Sequence, residues 1–484
     1  DLDSVITQEN QNSKSKTFFW SEKRSPLPSY LMVVHASVYK MYEDKYIRVS
    51  NPLDTVPIYN YVWQKDYDSK FIDGAVFDAV NSFKPTADIL AGYSELFGEY
   101  HYESYGHTVV HPSWFGGMEH QRMTSVNRYW LRGTAEYGIA HEIAHHWIGD
   151  LITCDTWQDI WINEGGASWM EAVWAYKKGL VYGEKTAEAI YDDYLLSRIR
   201  YYLEREVNFN KPVYGLPTND IFNYTAITYT KASWIYNMIS KRIGMGQFFS
   251  FVKHLLEKYK LSNISTKEFE QDLLEFVKTL DNDLNVTEFF EQWVYNTGHP
   301  IYNVNLKYLS ASGENNYNYE LNLNQMQDGV GFRQVYKNKV KVDLFRNKEI
   351  KQTIFIDNIS RIQSEIITTD FLVDSVAIDR AYLLCVIWES VVSVTDNHNS
   401  ITESIYPNPV NRGEIINIPL NNFSDNIGIY IYNEIGSLIK SDRIITGINN
   451  NLNYKLNTSE LLTGTYFIVI NDKLNNKYLN FIVL

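Results

Sequence analysis

The chain has 484 residues, enough for about two to four domains, and its apolar and aromatic content can fill large cores. Its formal net charge of −14, with Lys and Arg scattered rather than striped, argues against nucleic acid as a partner. No apolar run reaches the ~20 residues of a membrane-spanning helix, and Cys154 and Cys385, in different predicted domains, read as two free thiols.

The polar opening Asp1-Leu2-Asp3-Ser4 is not a signal peptide. Either a signal has been removed or the natural start lies elsewhere. Residues 1–59 look β-rich. Tyr30–Val34 and Tyr46–Val49 are strand-like runs bounded by Pro26, Pro28 and Asn51-Pro52. They are too few to close a sheet, so they are expected to pack on the helical region beyond them or to be the remnant of a larger β domain. From about residue 60 the pattern turns helical, with Pro85 at the first turn of a helix to Phe97. His107–His111 is strand-like and leads into Phe115-Gly116-Gly117-Met118-Glu119-His120. The glycines permit a close approach of ligand to backbone. Glu119, just after them, is placed to meet a positive ligand group.

Gly133–Ile148 reads as a helix carrying His141-Glu142-Ile143-Ala144-His145. Histidines four apart project from one face and can take two corners of a zinc tetrahedron. Glu164, eighteen residues on in Asn163-Glu164-Gly165-Gly166, starts the next helix and can supply a third corner. One position then stays open for water, as in a catalytic rather than a structural site. Glu142 points beside the metal and can act as general base. Glu171, seven residues beyond Glu164, shares its helix face and can hold a zinc histidine in one tautomer. His146 falls on another face and reads as packing or as support behind the ligands.

Helices are expected over Lys185–Arg205, Gln247–Tyr259, Phe269–Leu280 behind the capping box Ser265-Thr266-Lys267-Glu268, and Val286–Tyr295. Between them, Tyr224–Lys231 carries Tyr229. A phenol near zinc can stabilise an oxyanion, but tyrosine is abundant and Tyr229 by itself reads as core or surface filler. At Ile301 the period becomes two, which predicts a β-sandwich over 300–392. A polar linker over 393–400 and a second all-β unit over 401–484 come after it. The whole is a multidomain α+β chain: a mostly helical zinc-site domain over 60–299, then two all-β sandwich domains.

These motifs resemble the aminopeptidase N family of zinc metallopeptidases (gluzincins): Gly117-Met118-Glu119, then His141-Glu142-x-x-His145 with Glu164, then Tyr229-x-Lys231, in that order. The resemblance implies a thermolysin-like catalytic domain with one Zn2+ on His141, His145 and Glu164, and Glu142 as general base. It implies that Tyr229 stabilises the tetrahedral intermediate, reversing the reading above. Glu119 would bind the substrate's α-amino group, with Gly117, Met118 and Tyr224 also lining the substrate site and Glu171 behind the zinc ligands. Two departures touch the cleft: His120 stands where the family usually has asparagine, and Ala232 where it usually has glycine. Family members carry a large β domain before the catalytic one, of which residues 1–59 are read as the last strands. The implied substrates are peptides with a free N-terminus. The rival readings are a thermolysin-like endopeptidase or epoxide hydrolase on the same scaffold, or a non-enzymatic surface protein stapled by zinc.

Ile405-Tyr406-Pro407-Asn408-Pro409-Val410 resembles the start of the C-terminal sorting domain of the type IX secretion system. This implies recognition by secretion machinery, a secreted or cell-surface destination in a Bacteroidetes-type bacterium, and a signal peptide already lost.

Overall fold

The computed structural model describes residues 2–10, 13–21, 25–67, 70–72, 75–112, 114–133, 135–182, 185–206, 211–219, 221–312, 315–328, 331–393, 405, 407–420, 426–433, 438–445, 453–471 and 476–484. The predicted linker Thr395–Ser400 and Tyr406 lie outside the described residues. Two compact units are present, Asp1–Leu306 with Ser310–Val392, and Lys307–Leu309 with Ser393–Leu484.

The first unit opens with a hairpin of β1 (Leu2–Asn10) and β2 (Ser13–Trp20). Then come β3 (Tyr39–Ile47), β4 (Thr55–Trp63) and the short pair β5 (Lys70–Ile72) and β6 (Ala75–Phe77). Helices α1 (Ala79–Phe83) and α2 (Thr86–Phe97) precede β7 (Tyr105–Val110), β8 (Gly117–Met118) and β9 (Thr124–Asn127). Strands β3, β4 and β7 to β9 make one five-stranded sheet in the order β3-β4-β7-β9-β8. In β4, Val56, Ile58, Asn60 and Val62 are buried in strict alternation, the period-two signature of a strand with one buried face.

Helices then dominate. α3 (Glu136–Ala144) and the short strand β10 (Ile152–Cys154) lead to α4 (Trp161–Tyr182) and α5 (Ala187–Glu206). A π-helical turn, Ala226–Lys231, runs directly into α6 (Ala232–Ile243), and α7 (Met245–Lys258) is next. β11 (Ser262–Ile264) pairs in parallel with β10, before α8 (Thr266–Lys278) and α9 (Val286–Trp293). The core between the helices is aromatic: Trp161, Trp169, Tyr236, Phe248 and Phe269 are all buried and meet ring on ring. The capping box forms as its sequence predicts: Ser265 Oγ accepts from Glu268 N–H and Glu268 Oε2 accepts from Ser265 N–H.

Next in the chain come β12 (Ile301–Ala311), β13 (Tyr317–Gln325), β14 (Asn338–Arg346), β15 (Glu349–Asn358), β16 (Ile362–Thr369), β17 (Ser375–Ile378) and β18 (Val386–Ser393), all in the first unit but for Lys307–Leu309 and Ser393. They form a four-stranded sheet, β16-β13-β12-β18, and a three-stranded one, β15-β14-β17. The second unit holds β19 (Ile415–Pro419), β20 (Asn426–Asn433), β21 (Leu438–Ile445), β22 (Asn453–Asn457), β23 (Gly464–Asn471) and β24 (Asn476–Val483). Its sheets β19-β22 and β21-β20-β23-β24 share a core that includes Ile416, Ile418, Ile429, Ile468 and Phe481.

Several expectations are corrected. Tyr30–Val34 is not a strand: a 3-10 turn, Ser29–Leu31, passes into irregular chain. Tyr30 packs edge-on against Trp157 and Leu31 is buried, while Met32 and Val34 face solvent, so these side chains are shared among tertiary contacts rather than alternating over a sheet. Strands persist beyond residue 60 to Phe77, and residue 59 itself falls inside β4. The α3 helix spans Glu136–Ala144 rather than Gly133–Ile148. Beyond it the chain tightens into shorter-range hydrogen bonds, His146 N–H to Ile143 O and Trp147 N–H to Ala144 O. Trp147 is buried there, its indole N–H donating to Gly98 O at 2.8 Å. Both cysteines are free and buried.

Candidate active site

His141 and His145 sit one turn apart at the end of α3, so both rings leave the same face. Glu164 comes from the first turn of α4. Gly165 and Gly166 come next and allow close packing on both sides: a Cβ at Gly165 would stand 2.5 Å from Ala232 Cβ on α6, and one at Gly166 would stand 3.0 Å from Ile148, just beyond the histidines. The donor atoms make a small triangle. His141 Nε2 and His145 Nε2 are 3.1 Å apart, and they lie 3.3 and 3.4 Å from Glu164 Oε2. Tetrahedral zinc with bonds of ~2.1 Å needs donors about 3.4 Å apart. All three residues are buried, and Glu164 Oε2 has no hydrogen-bond donor aimed at it. The residues fit one zinc ion.

The far side of each imidazole is also occupied. His141 Nδ1 meets Glu171 Oε1 at 2.9 Å, and His145 Nδ1 meets Ile148 O at 3.0 Å. Each Nδ1–H donates outward, which turns the Nε2 lone pair into the triangle. Glu171 also accepts from the Tyr194 hydroxyl and has Arg198 at 3.7 Å. No local pattern in the chain marks these two α5 residues.

Two carboxylates beside the triangle are driven apart. Burial would raise Glu164, yet the two imidazoles of His141 and His145 beside it hold it down at about 2. Burial, reinforced by Glu119 and Glu164 against the pull of the histidines, pushes Glu142 up to about 8. Its Oε2 is buried with no hydrogen-bond partner. A carboxyl that stays ionised and one that burial makes hold its proton more tightly therefore stand side by side. Gly117 lies directly over Glu142. Glu119, two residues on, is buried and within electrostatic reach of His145, Glu164 and His141; burial raises its carboxyl.

The π-helical turn positions Tyr229. Its ring stacks on His141 at 5.8 Å between centroids, and its phenol lies within electrostatic reach of Glu164. Burial, then Glu164, holds that phenol well above its ordinary range. Met118 and Tyr224 lie half-buried on the flanking elements, β8 and the 3-10 turn Ile221–Tyr224. His120 Nδ1 contacts Ser125 Oγ at 2.8 Å, and the same hydroxyl contacts His35 Nε2 at 3.0 Å. His146 lies outside the triangle, Nδ1 to Glu142 O and Nε2 accepting from Arg122 N–H.

This fold and this triad define a domain that can hold one metal ion beside a buried carboxyl group. Residues 82–293 match the Peptidase family M1 domain, and residues 404–484 match the secretion system C-terminal sorting domain. The latter indicates secretion or a cell-surface destination. The chain is 33% identical to aminopeptidase 2 of Candida albicans over 171 residues, 34% of this chain and 17% of that one. It is 27% identical to glutamyl aminopeptidase of Homo sapiens over 321 residues, 62% of this chain and 30% of that one. The crystal structure of Legionella pneumophila aminopeptidase A in complex with aspartic acid shares the fold, with a TM-score of 0.58 at 14% identity over 80% of this chain and 43% of that chain. The chain spans less than half the length of these curated relatives. No helix among the described residues is long and apolar enough to cross a membrane.

Proposed function

We propose that the chain is a zinc-dependent aminopeptidase that releases N-terminal residues from peptides. The observation that carries this reading is the donor triangle of His141, His145 and Glu164 with the unpartnered Glu142 carboxylate beside it. Zinc held by that triangle supplies Lewis-acid polarisation of a carbonyl and lowers the pKa of water. Glu142 takes the proton of the attacking water and delivers it to the leaving amine. Tyr229 donates its hydroxyl to the developing oxyanion. Glu119 pairs with the substrate ammonium, so cleavage is counted from the first residue. Gly117, Met118 and Tyr224 line the substrate path, and Glu171 orients His141.

The same reading places residues 60–299 as the catalytic domain, 300–392 as a β-sandwich, and 401–484 as the module that type IX secretion machinery recognises. It makes the source a Bacteroidetes-type bacterium. The test is hydrolysis of aminoacyl-amide chromogenic substrates, free and N-acetylated, with and without zinc, beside Glu142→Gln. Zinc-dependent cleavage of the free-amine compounds alone, lost in the variant, is the expected result. Equal cleavage of acetylated substrates would make it an endopeptidase instead.

A further inference from the structure

We propose that Tyr194 and Arg198, on α5, are positioning residues for the metal site, acting on His141 through Glu171. This rests on the zinc reading above. Glu171 is buried, and its Oε1 is taken by His141 Nδ1 at 2.9 Å. A buried carboxylate with its second oxygen unmatched is costly and free to turn. Here Oε2 is held from two successive turns of one helix. The Tyr194 hydroxyl donates to it, and the Arg198 guanidinium, four residues on, stands 3.7 Å away.

Tyr194 is itself fixed. Its ring packs on Tyr137 at 4.5 Å between centroids, tilted by 36°. Tyr137 lies on α3, one turn before His141. The contacts thus close a ring through three helices: His141 to Glu171 on α4, to Tyr194 on α5, to Tyr137 on α3, and along α3 back to His141. With both oxygens engaged, Glu171 keeps Oε1 under His141 Nδ1 and the His141 Nε2 lone pair turned into the donor triangle. Tyr194 and Arg198 touch neither the triangle nor the substrate path, so their effect must pass through Glu171.

The experiment uses the full chain, with zinc affinity measured by chelator competition and the visible spectrum of the cobalt(II)-substituted protein, on the parent, Tyr194→Phe, Arg198→Met, Glu171→Gln and Tyr194→Phe/Glu171→Gln. Tyr194→Phe is expected to weaken zinc binding by about tenfold, the low end for loss of outer support to a metal histidine, and to shift the cobalt spectrum. Arg198→Met, at a more exposed position, should do the same to a smaller degree. In the double variant the losses should not add, since both act on one contact. Parental affinity and spectrum in both single variants, even with a lowered melting temperature, would reduce Tyr194 and Arg198 to packing and overturn the inference. Additive losses would overturn the route through Glu171. A parent that takes up no zinc would overturn the metal reading itself, and this inference with it.

Discussion

The Glu142 side chain occupies the space where a side chain on Gly117 would begin: an added Cβ would lie 2.7 Å from Glu142 Cγ and closer still to Oε1. Strand β8 therefore forms a floor against the proposed base, and only glycine fits at that position. Gly117→Ala must push the carboxylate aside or lift the strand. The expected result is a fall in kcat of about 10²–10⁴, the usual worth of a positioned acid–base group, with zinc still bound in stoichiometric amount. Steady-state kinetics beside metal analysis checks it. Unchanged kcat would show that Glu142 is not the base.

Tyr229 and Glu119 divide the proposed work differently. Tyr229→Phe removes one hydroxyl and keeps the ring on His141, so kcat should fall by about 10²–10³ with little change in KM. Glu119→Gln removes a charge-assisted contact worth about 1.5–3 kcal/mol, so KM for free-amine substrates should rise. A matched panel of free and acetylated substrates separates the two effects, and a Glu119→Gln chain that discriminates as well as the parent would count against the amine-binding role.

Asp66 and Arg128 form a buried two-pronged ion pair, Nε to Oδ2 at 2.7 Å and Nη2 to Oδ1 at 3.0 Å. Arg128 comes directly after β9, so the pair ties the segment after β4 to the segment after β9, two strands away in the sheet. Asp66→Ala leaves a guanidinium uncompensated in the interior and should cost about 3–5 kcal/mol. Denaturant unfolding measures it; a loss under ~1 kcal/mol would mean that water reaches the pair.

His107 gives a pH prediction. Burial, with a smaller contribution from His146, holds its imidazole down at about 3, and it sits stacked on Phe83 with Nδ1 against Asn60 Oδ1. In the unfolded chain it titrates near ~6.5. Between those values the unfolded state binds the extra proton, so stability rises with pH by up to ~1.4 kcal/mol per unit and is fully present above ~6.5. It is lost as pH falls through that window. Unfolding measured from about pH 4 to 7 should show a shallower slope for His107→Gln than for the parent, and equal slopes would reject the assignment.

Much of this architecture was readable residue by residue. The four-residue spacing of His141 and His145 places both rings on one face of any helix, and the alternation in β12, β13 and β14 comes from the pleat of any strand. Ser265 and Glu268 cap α8 through contacts three residues apart. Each of these is local geometry. The misreadings share the opposite cause. Tyr30–Val34 looks like a strand, yet its side chains are divided between Trp157, the interior and solvent, and no pattern within that short run records the division. Likewise the end of α3 is set by where Trp147 is buried, not by propensity.

The chain alone determined that His141 and His145 share one helix face and that Glu171 shares a face with Glu164, because the helix period fixes the directions in which side chains project. It could not determine distances between elements. Packing decided that α4 lies close enough to bring Glu164 within 3.4 Å of both histidines, with Gly165 against Ala232 of α6 and Gly166 against Ile148 just beyond α3. Packing also decided that a π-helical turn lays Tyr229 on His141, and that Tyr194 and Arg198, unmarked in the sequence, stand behind Glu171. Those separations depend on side-chain volumes summed over several helices, and such a sum exists only once the chain is folded.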